Sequence, residues 1–189
     1  IAKGLDFPNV TLVGVLSADT SLHMPDFRAA ERTYQLLAQV SGRAGRAELP
    51  GEVFVQTYSP NHFAVRAAAS DAGFEGFAAQ ELAEREEGGY PPYARLVCLT
   101  FKGESEEKVR FSAETYARDL ALTAGGAAMR VSEACPAPLA KAKKLFRYQI
   151  LLRAPSVRAM TRPLRALLDK KPLPPGVALA IDVDALSIL

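Results

Sequence analysis

The 189-residue sequence predicts an α/β fold in two parts, a piece of a parallel sheet with helices and then a domain in the order β-α-β-β-α-β. Three observations predict it. Residues 10–16 form a near-continuous apolar run rich in β-branched side chains, typical of a strand buried on both faces of a parallel sheet. Pro91 and Pro92 interrupt the pattern, and strand and helix periodicities alternate after them. We therefore place a domain boundary near residue 92, which gives domains 1–92 and 93–189.

The composition excludes several classes of protein. With 49% hydrophobic and 23% charged residues, the chain is neither disordered nor collagen-like. No apolar run approaches the roughly 20 residues of a membrane span and no secretory leader is recognisable, so we expect a cytoplasmic protein with no membrane partner. Cys98 and Cys135 are too few for a disulfide scaffold, and we expect two reduced core thiols and no metal site.

Since Ile1 opens the chain without a strand or cap signal, we expect a piece of a longer protein.

The elements of the first part follow from local signals. Asp26 is placed to cap a helix over residues 27–41, which ends in a turn rich in glycine and arginine. Because a doubly wound sheet usually has about five or six strands, we expect neighbours of the strand at residues 10–16 to lie upstream. The later elements are a strand at residues 52–57, a helix opened by Ser59 and Pro60 and closed by Gly73, and an acidic helix at residues 74–87.

The second part alternates more regularly. Residues 94–102 alternate like a strand, and the helix from residue 104 to about 122 has an acidic first turn. Its apolar stripe is formed by Val109, Ala113, Tyr116 and Leu120. The order of elements predicts the split βαβ, or ferredoxin-like, arrangement, in which one sheet carries two helices on one face. The remaining elements are a strand at residues 129–134, a basic loop at residues 136–144, a strand at residues 146–152, a helix capped by Ser156 with Pro163 inside it, and a strand at residues 177–183.

Positive charge is concentrated in the second part. The net charge is +2, but residues 130–171 carry eleven lysines and arginines against Glu133 and Asp169, a local balance of +9 that leaves −7 elsewhere. A basic block beside an acidic body predicts a surface that faces a polyanion. The alternative is a solvated basic face without a ligand.

The candidate DNA-binding residues lie in two clusters of this block. The cations lie in the loop, in the following strand and on the last helix. They could contact backbone phosphates without base-specific contacts, so that branched DNA is recognised by its shape. Phe146 and Tyr148 either stack on bases or pack between strands, and their alternating positions favour packing. The candidates are Lys141, Lys143, Lys144 and Arg147, followed by Arg158 and Arg162, with Arg165 on the same helix.

A second candidate site follows the first long helix, where residues 39–46 read Q-x-x-G-R-x-G-R. Its glycines have no side chain and allow the backbone to come close to a ligand. The guanidiniums of Arg43 and Arg46 can form forked hydrogen bonds with phosphate oxygens. The alternative is a solvated surface turn.

Together with upstream residues, this segment resembles a known enzyme class. Residues 3–10 read K-G-x-D-x-P-x-V before the first strand, and the pair of segments resembles motifs V and VI of superfamily 2 helicases. More narrowly, the sequence resembles the primosomal protein N′ family of replication-restart DNA helicases. The residues that carry this resemblance are 26–32, 39–46, 51–53, 56–57, 60–62, 91–92, 137–141, 147–152 and 182–184.

The resemblance implies roles for individual residues. Arg46 would be the arginine finger that reaches the γ-phosphate of ATP held by the other RecA-like lobe. Arg43 would make a second phosphate contact, and Gln39 would set the geometry of both arginines. The remaining implied roles are coupling of nucleotide state to lobe closure by Gly4, Asp6 and Gly42, with a helix or turn cap as the alternative for Asp6, and a DNA backbone contact by Lys3.

The resemblance also implies the architecture and the ligands. Residues 1–92 would be the C-terminal part of the second RecA-like helicase lobe, and residues 93–189 a ferredoxin-like DNA-binding domain. ATP and Mg²⁺ would be bound mainly by the first lobe, because this sequence has no G-x-x-x-x-G-K-[ST] loop and no acidic Mg²⁺ motif. Zn²⁺ would be bound upstream and not in this chain. We therefore expect no ATP hydrolysis by this chain alone.

The implied role is unwinding of branched DNA at stalled replication forks and initiation of primosome assembly. The expected partners are branched and single-stranded DNA, single-stranded DNA-binding protein and primosome proteins, in a cytoplasmic, nucleoid-associated location. Two alternatives remain: another superfamily 2 DNA translocase, or a nucleic-acid-binding module without catalysis.

Overall fold

A computed structural model describes residues 10–42, 51–70, 73–123 and 129–188, and its fold is mixed α/β, as predicted. The chain divides into two compact units, Ile1–Glu84 and Arg85–Leu189, and the predicted boundary near residue 92 stays a prediction. The elements are β1 (Leu12–Val15), α1 (Asp19–Leu22), α2 (Ala29–Ser41), β2 (Glu52–Val55), α3 (Phe63–Ala68), α4 (Gly73–Gly88), β3 (Arg95–Gly103), α5 (Glu106–Thr123), β4 (Arg130–Val131), β5 (Cys135–Ala142), β6 (Leu145–Ala154), α6 (Val157–Lys170) and β7 (Val177–Val183).

The sheet of the first unit consists of β1 and β2, which pair in parallel with Leu12 opposite Glu52. The prediction that the first strand is buried on both faces is wrong for this chain. Leu12 and Phe54 are 61% and 62% exposed, because β2 is the only strand paired with β1 in the part of the chain that the structure describes. The parallel pairing itself agrees with the prediction.

The helices of the first unit pack through aromatic side chains. The rings of Tyr34 and Phe77 stack with centroids 4.3 Å apart, and Phe63 lies 5.5 Å from Phe77 on the centroid distance. Two helices begin two or three residues later than predicted. The first long helix begins at Ala29, with the Asp26 carboxylate accepting the Arg28 N–H at 2.9 Å. 

The next helix is capped by His62 and not by Ser59. The Nδ1 atom of His62 accepts the N–H of Ala64 at 3.2 Å, while the His62 N–H donates to the Ser59 carbonyl in a preceding turn. A neutral imidazole nitrogen is an acceptor, so it can satisfy a free amide at a helix start as a hydroxyl does.

The second unit has one antiparallel sheet in the order β4-β6-β3-β7, with β5 paired to β6. Alternate residues of β3, among them Leu99 and Phe101, face α5 and α6 and form the core. The predicted stripe on α5 is confirmed, since all four of its residues are buried. The helix α6 continues through Pro163, and its Met160 and Leu164 are buried in the same core.

The segment predicted as a basic loop is largely a strand. Residues 135–142 form β5, which pairs with β6 at both ends and is irregular between Pro136 and Lys141. Prolines remove amide donors and are tolerated at strand edges and bulges, so a proline-rich stretch can form an irregular strand. 

The two cysteines differ in environment. Both are free, and Cys98 is buried as expected, where burial raises the pKa of its thiol. Cys135 is exposed at the start of β5, so the prediction of two core thiols is wrong for that residue.

Candidate nucleic-acid interface

The turn between β5 and β6 consists of Lys143 and Lys144, whose φ angles are +50° and +68°. A two-residue hairpin turn with positive φ at both positions is of type I′, which favours Asn-Gly. Holding an ordinary side chain in this left-handed region costs about 1–2 kcal/mol per residue. Two lysines at this turn therefore lower stability relative to Asn-Gly, and they place two exposed positive charges side by side.

Other cations lie next to this turn. The Nζ atom of Lys141 is 4.1 Å from the centroid of the Phe146 ring, a cation–π contact between residues paired across the hairpin. Arg147 is paired with Lys102 of β3, so two like charges are directly opposite each other. Such pairs are destabilising unless an anion lies nearby. Within the described ranges no acidic side chain forms an ion pair with any of these cations or with the turn lysines.

The arginines of α6 form a separate surface. Arg158, Arg162 and Arg165 are exposed and line a groove of about 640 Å³ whose apolar wall includes Leu168 and Ile181. This helix packs on the sheet face that carries Ile150. Arg147 is three residues away on the same strand and therefore points to the opposite face. The predicted DNA-binding residues thus fall into two groups. We call Lys141, Lys143, Lys144 and Arg147 the hairpin cluster, and Arg158, Arg162 and Arg165 the helix cluster.

The two aromatic residues of β6 have structural roles. Tyr148 is buried in the core, and its hydroxyl donates to the Glu106 carboxylate at 3.2 Å. Burial and this hydrogen bond raise the pKa of its phenol. The packing interpretation is confirmed for Tyr148. The ring of Phe146 is half-buried and makes the cation–π contact with the Lys141 ammonium.

The structure describes only part of the helicase-like motifs. Gln39 is exposed on the last turn of α2, and Gly42 is the C-cap, with its N–H donating to the Ala38 carbonyl at 3.1 Å. Lys3, Gly4, Asp6, Arg43 and Arg46 lie outside the described residues, and their roles stay predictions.

The sequence reasoning missed three basic residues that the sheet register brings together with others. Lys102 faces Arg147, and Arg130 of β4 is paired with Arg153 of β6. Composition placed Arg130 and Arg153 in the basic block, but no sequence signal showed them to be direct neighbours.

Among the residues with described positions, no group of three or more His, Cys, Asp or Glu side chains could hold a metal ion. None of the described helices is long and apolar enough to cross a membrane.

Comparison with known proteins identifies the family. A family model described as "Primosomal protein N C-terminal domain" matches residues 86–186, just over half of the chain. The chain belongs to this family. The predicted resemblance to the primosomal protein N′ family is thereby confirmed.

Curated relatives match over most of the sequence. "Replication restart protein PriA" of Bacillus subtilis (strain 168) is 46% identical over 89% of this chain and 21% of the relative. Proteins of the same name from Treponema pallidum (strain Nichols) and Synechocystis are 44% and 40% identical over all of this chain. They are covered over 28% and 22% of their own length. The chain therefore spans about a quarter of the length of these relatives.

Proposed function

We propose that this chain is the C-terminal part of a replication restart protein that acts as an ATP-dependent DNA helicase at stalled forks, and that its second unit binds DNA. The observation that carries the proposal is the similarity, over 89–100% of the chain, to relatives named replication restart protein PriA. In this proposal the protein works on the chromosome in the cytoplasm. Branched and single-stranded DNA are its ligands, and single-stranded DNA-binding protein and primosome proteins are its partners.

We propose a RecA-like lobe for the first unit and a ferredoxin-like domain for the second. The parallel pairing of β1 with β2 supports the lobe, and their exposed Leu12 and Phe54 would be covered by the rest of the sheet in the longer protein. The order β4-β6-β3-β7, with α5 and α6 as the two crossover helices on one face, supports the ferredoxin-like domain.

For ATP hydrolysis, this chain would contribute residues to a site built mainly elsewhere. ATP and Mg²⁺ would be held by the first lobe, and Zn²⁺ by cysteines upstream. Arg46 would reach the γ-phosphate, with Arg43 and Gln39 beside it, and Gly4, Asp6 and Gly42 would couple nucleotide state to closure.

For DNA binding, the hairpin cluster is the stronger of the two cationic surfaces. Lys143 and Lys144 project from a tight turn that disfavours lysine, and Arg147 faces Lys102 without an acidic partner among the described residues. A phosphate backbone along this edge would offset the repulsion between these cations. With about four phosphate contacts, the logarithm of the binding constant should fall with the logarithm of salt concentration with a slope near −4.

The double variant Lys143→Asn/Lys144→Gly tests this function. Asn-Gly fits the positive φ angles, so we expect the free energy of unfolding to rise. The total gain should be about 1–2 kcal/mol, because asparagine still bears part of the left-handed cost and glycine loses more backbone entropy on folding. The loss of two positive charges should weaken binding to forked DNA and make the salt slope shallower by about 2. Fluorescence anisotropy with a labelled fork at several salt concentrations measures the slope, and chemical denaturation measures stability.

Arg118→Gln provides the matched control, because it removes one exposed positive charge from α5 at a distance in sequence from both clusters. We expect this variant to bind the fork as the wild type does. Unchanged affinity and slope in the hairpin variant would contradict the assignment of the DNA surface, because its stability shows that the fold is intact.

A further inference from the structure

A small pocket lies where β4 begins and β6 ends. We call it the strand-end pocket: its volume is about 210 Å³, and its lining includes Gly89, Met129, Arg130, Arg153 and Pro155. That volume is below the roughly 300 Å³ of a typical small-molecule site but sufficient for a single phosphate group. The two arginines are its charged lining residues.

The two guanidiniums belong to residues that are directly opposite each other in the antiparallel pair of β4 with β6. Opposed side chains of this kind project to the same face with Cβ atoms about 5 Å apart, and like charges there repel. Neither arginine forms an ion pair with an acidic residue in the described part of the chain. An anion between them would convert the repulsion into attraction.

Arg153 is held in place before any ligand arrives. One of its terminal nitrogens donates to the Gly88 carbonyl, and the guanidinium lies 4.7 Å from the centroid of the Tyr90 ring. Its Nε atom is buried and has no hydrogen-bond partner. A buried donor without a partner is unfavourable, so this position of the side chain costs the fold free energy.

The guanidinium of Arg130 packs closely against the backbone of Gly89, which has no side chain in its way. Gly89 has a φ of +63°, and a Cβ atom at this position would lie 3.2 Å from Nη1 of Arg130. A glycine therefore suits both the left-handed backbone and the close approach of the guanidinium.

We propose that the strand-end pocket binds a phosphate group of a nucleic-acid strand. Two forked guanidiniums match the charge and the tetrahedral oxygens of a phosphate. The inference rests on the proposed DNA-binding function and adds to it a phosphate site distinct from the hairpin cluster. The phosphate is either a terminal group or an internal phosphodiester, and the experiment distinguishes these two sources.

The test uses the ¹⁵N-labelled 189-residue chain titrated with inorganic phosphate at constant ionic strength. We expect saturable shifts of the Gly89 amide and the Arg153 Nε–H signals. Arg130→Gln should weaken phosphate binding about tenfold, whereas the control Arg118→Gln should leave it unchanged. Gly89→Ala provides a second variant, since it crowds Arg130 without changing the charge and should also weaken binding.

The same signals are then followed with single strands that carry phosphates at both ends and with strands that carry none. Shifts with the phosphorylated strand alone identify a terminal phosphate, and equal shifts with both identify an internal phosphodiester. The absence of shifts with inorganic phosphate and DNA, or equal behaviour of Arg130→Gln and Arg118→Gln, would overturn the inference. Occupation by a carboxylate-rich peptide but not by DNA would overturn it as well.

The outcome for the pocket is separable from that for the proposed function. If the wild-type chain binds forked DNA with the expected salt slope while the pocket signals stay unchanged, only the pocket inference fails. If the chain binds no DNA at all, the proposed function fails too, even where inorganic phosphate shifts the pocket signals.

Discussion

Replacing Arg46 with alanine in the full-length protein is expected to slow DNA-stimulated ATP hydrolysis about a thousandfold or more, with DNA affinity nearly unchanged. An arginine finger stabilises negative charge that develops on the transferred phosphoryl group in a site with little water. A thousandfold loss of rate corresponds to about 4 kcal/mol of transition-state stabilisation. Steady-state ATP hydrolysis with saturating forked DNA measures the effect, and fork binding without nucleotide measures affinity.

Arg66→Ala is the matched control for this variant, because Arg66 is an exposed arginine on α3 in the same unit. Its hydrolysis rate should equal that of the wild type. Normal turnover by Arg46→Ala would refute the finger assignment and would favour a nucleic-acid-binding module without catalysis.

Replacing Phe101 with alanine is expected to lower the free energy of unfolding of the second unit by about 3–5 kcal/mol. The side chain is fully buried on β3, and its ring makes an edge-to-face contact with the Tyr116 ring at a centroid distance of 5.3 Å. Truncation removes buried apolar area, leaves a cavity and breaks this aromatic contact. Guanidinium unfolding followed by tyrosine fluorescence measures the change.

Phe111→Ala makes the same chemical change at an exposed position of α5 and should alter stability by no more than about 0.5 kcal/mol. Phe101→Leu keeps most of the volume and should remain folded with a loss below about 1.5 kcal/mol. Equal losses for Phe101→Ala and Phe111→Ala would contradict the assignment of Phe101 to the core.

Local periodicity was sufficient to predict the helices and strands of the second unit that are amphipathic. The stripe on α5 was predicted correctly because residues three and four positions apart lie on one helix face, whatever the rest of the chain does. The basic character of residues 130–171 was equally evident, because charge is a property of composition. Prediction failed at β5, where prolines and lysines carry no strand signal and pairing with β6 alone forms the strand.

The family resemblance, the amphipathic elements and the excess of positive charge in the second half follow from the order of residues alone. Which cations are neighbours depends on strand pairing and packing, which set Arg130 against Arg153, place Lys143 and Lys144 in a left-handed turn, and separate the hairpin cluster from the arginines of α6. The physical reason is that strand register is set by hydrogen bonds and core packing between distant segments, and a shift of one residue would move every side chain to the other face.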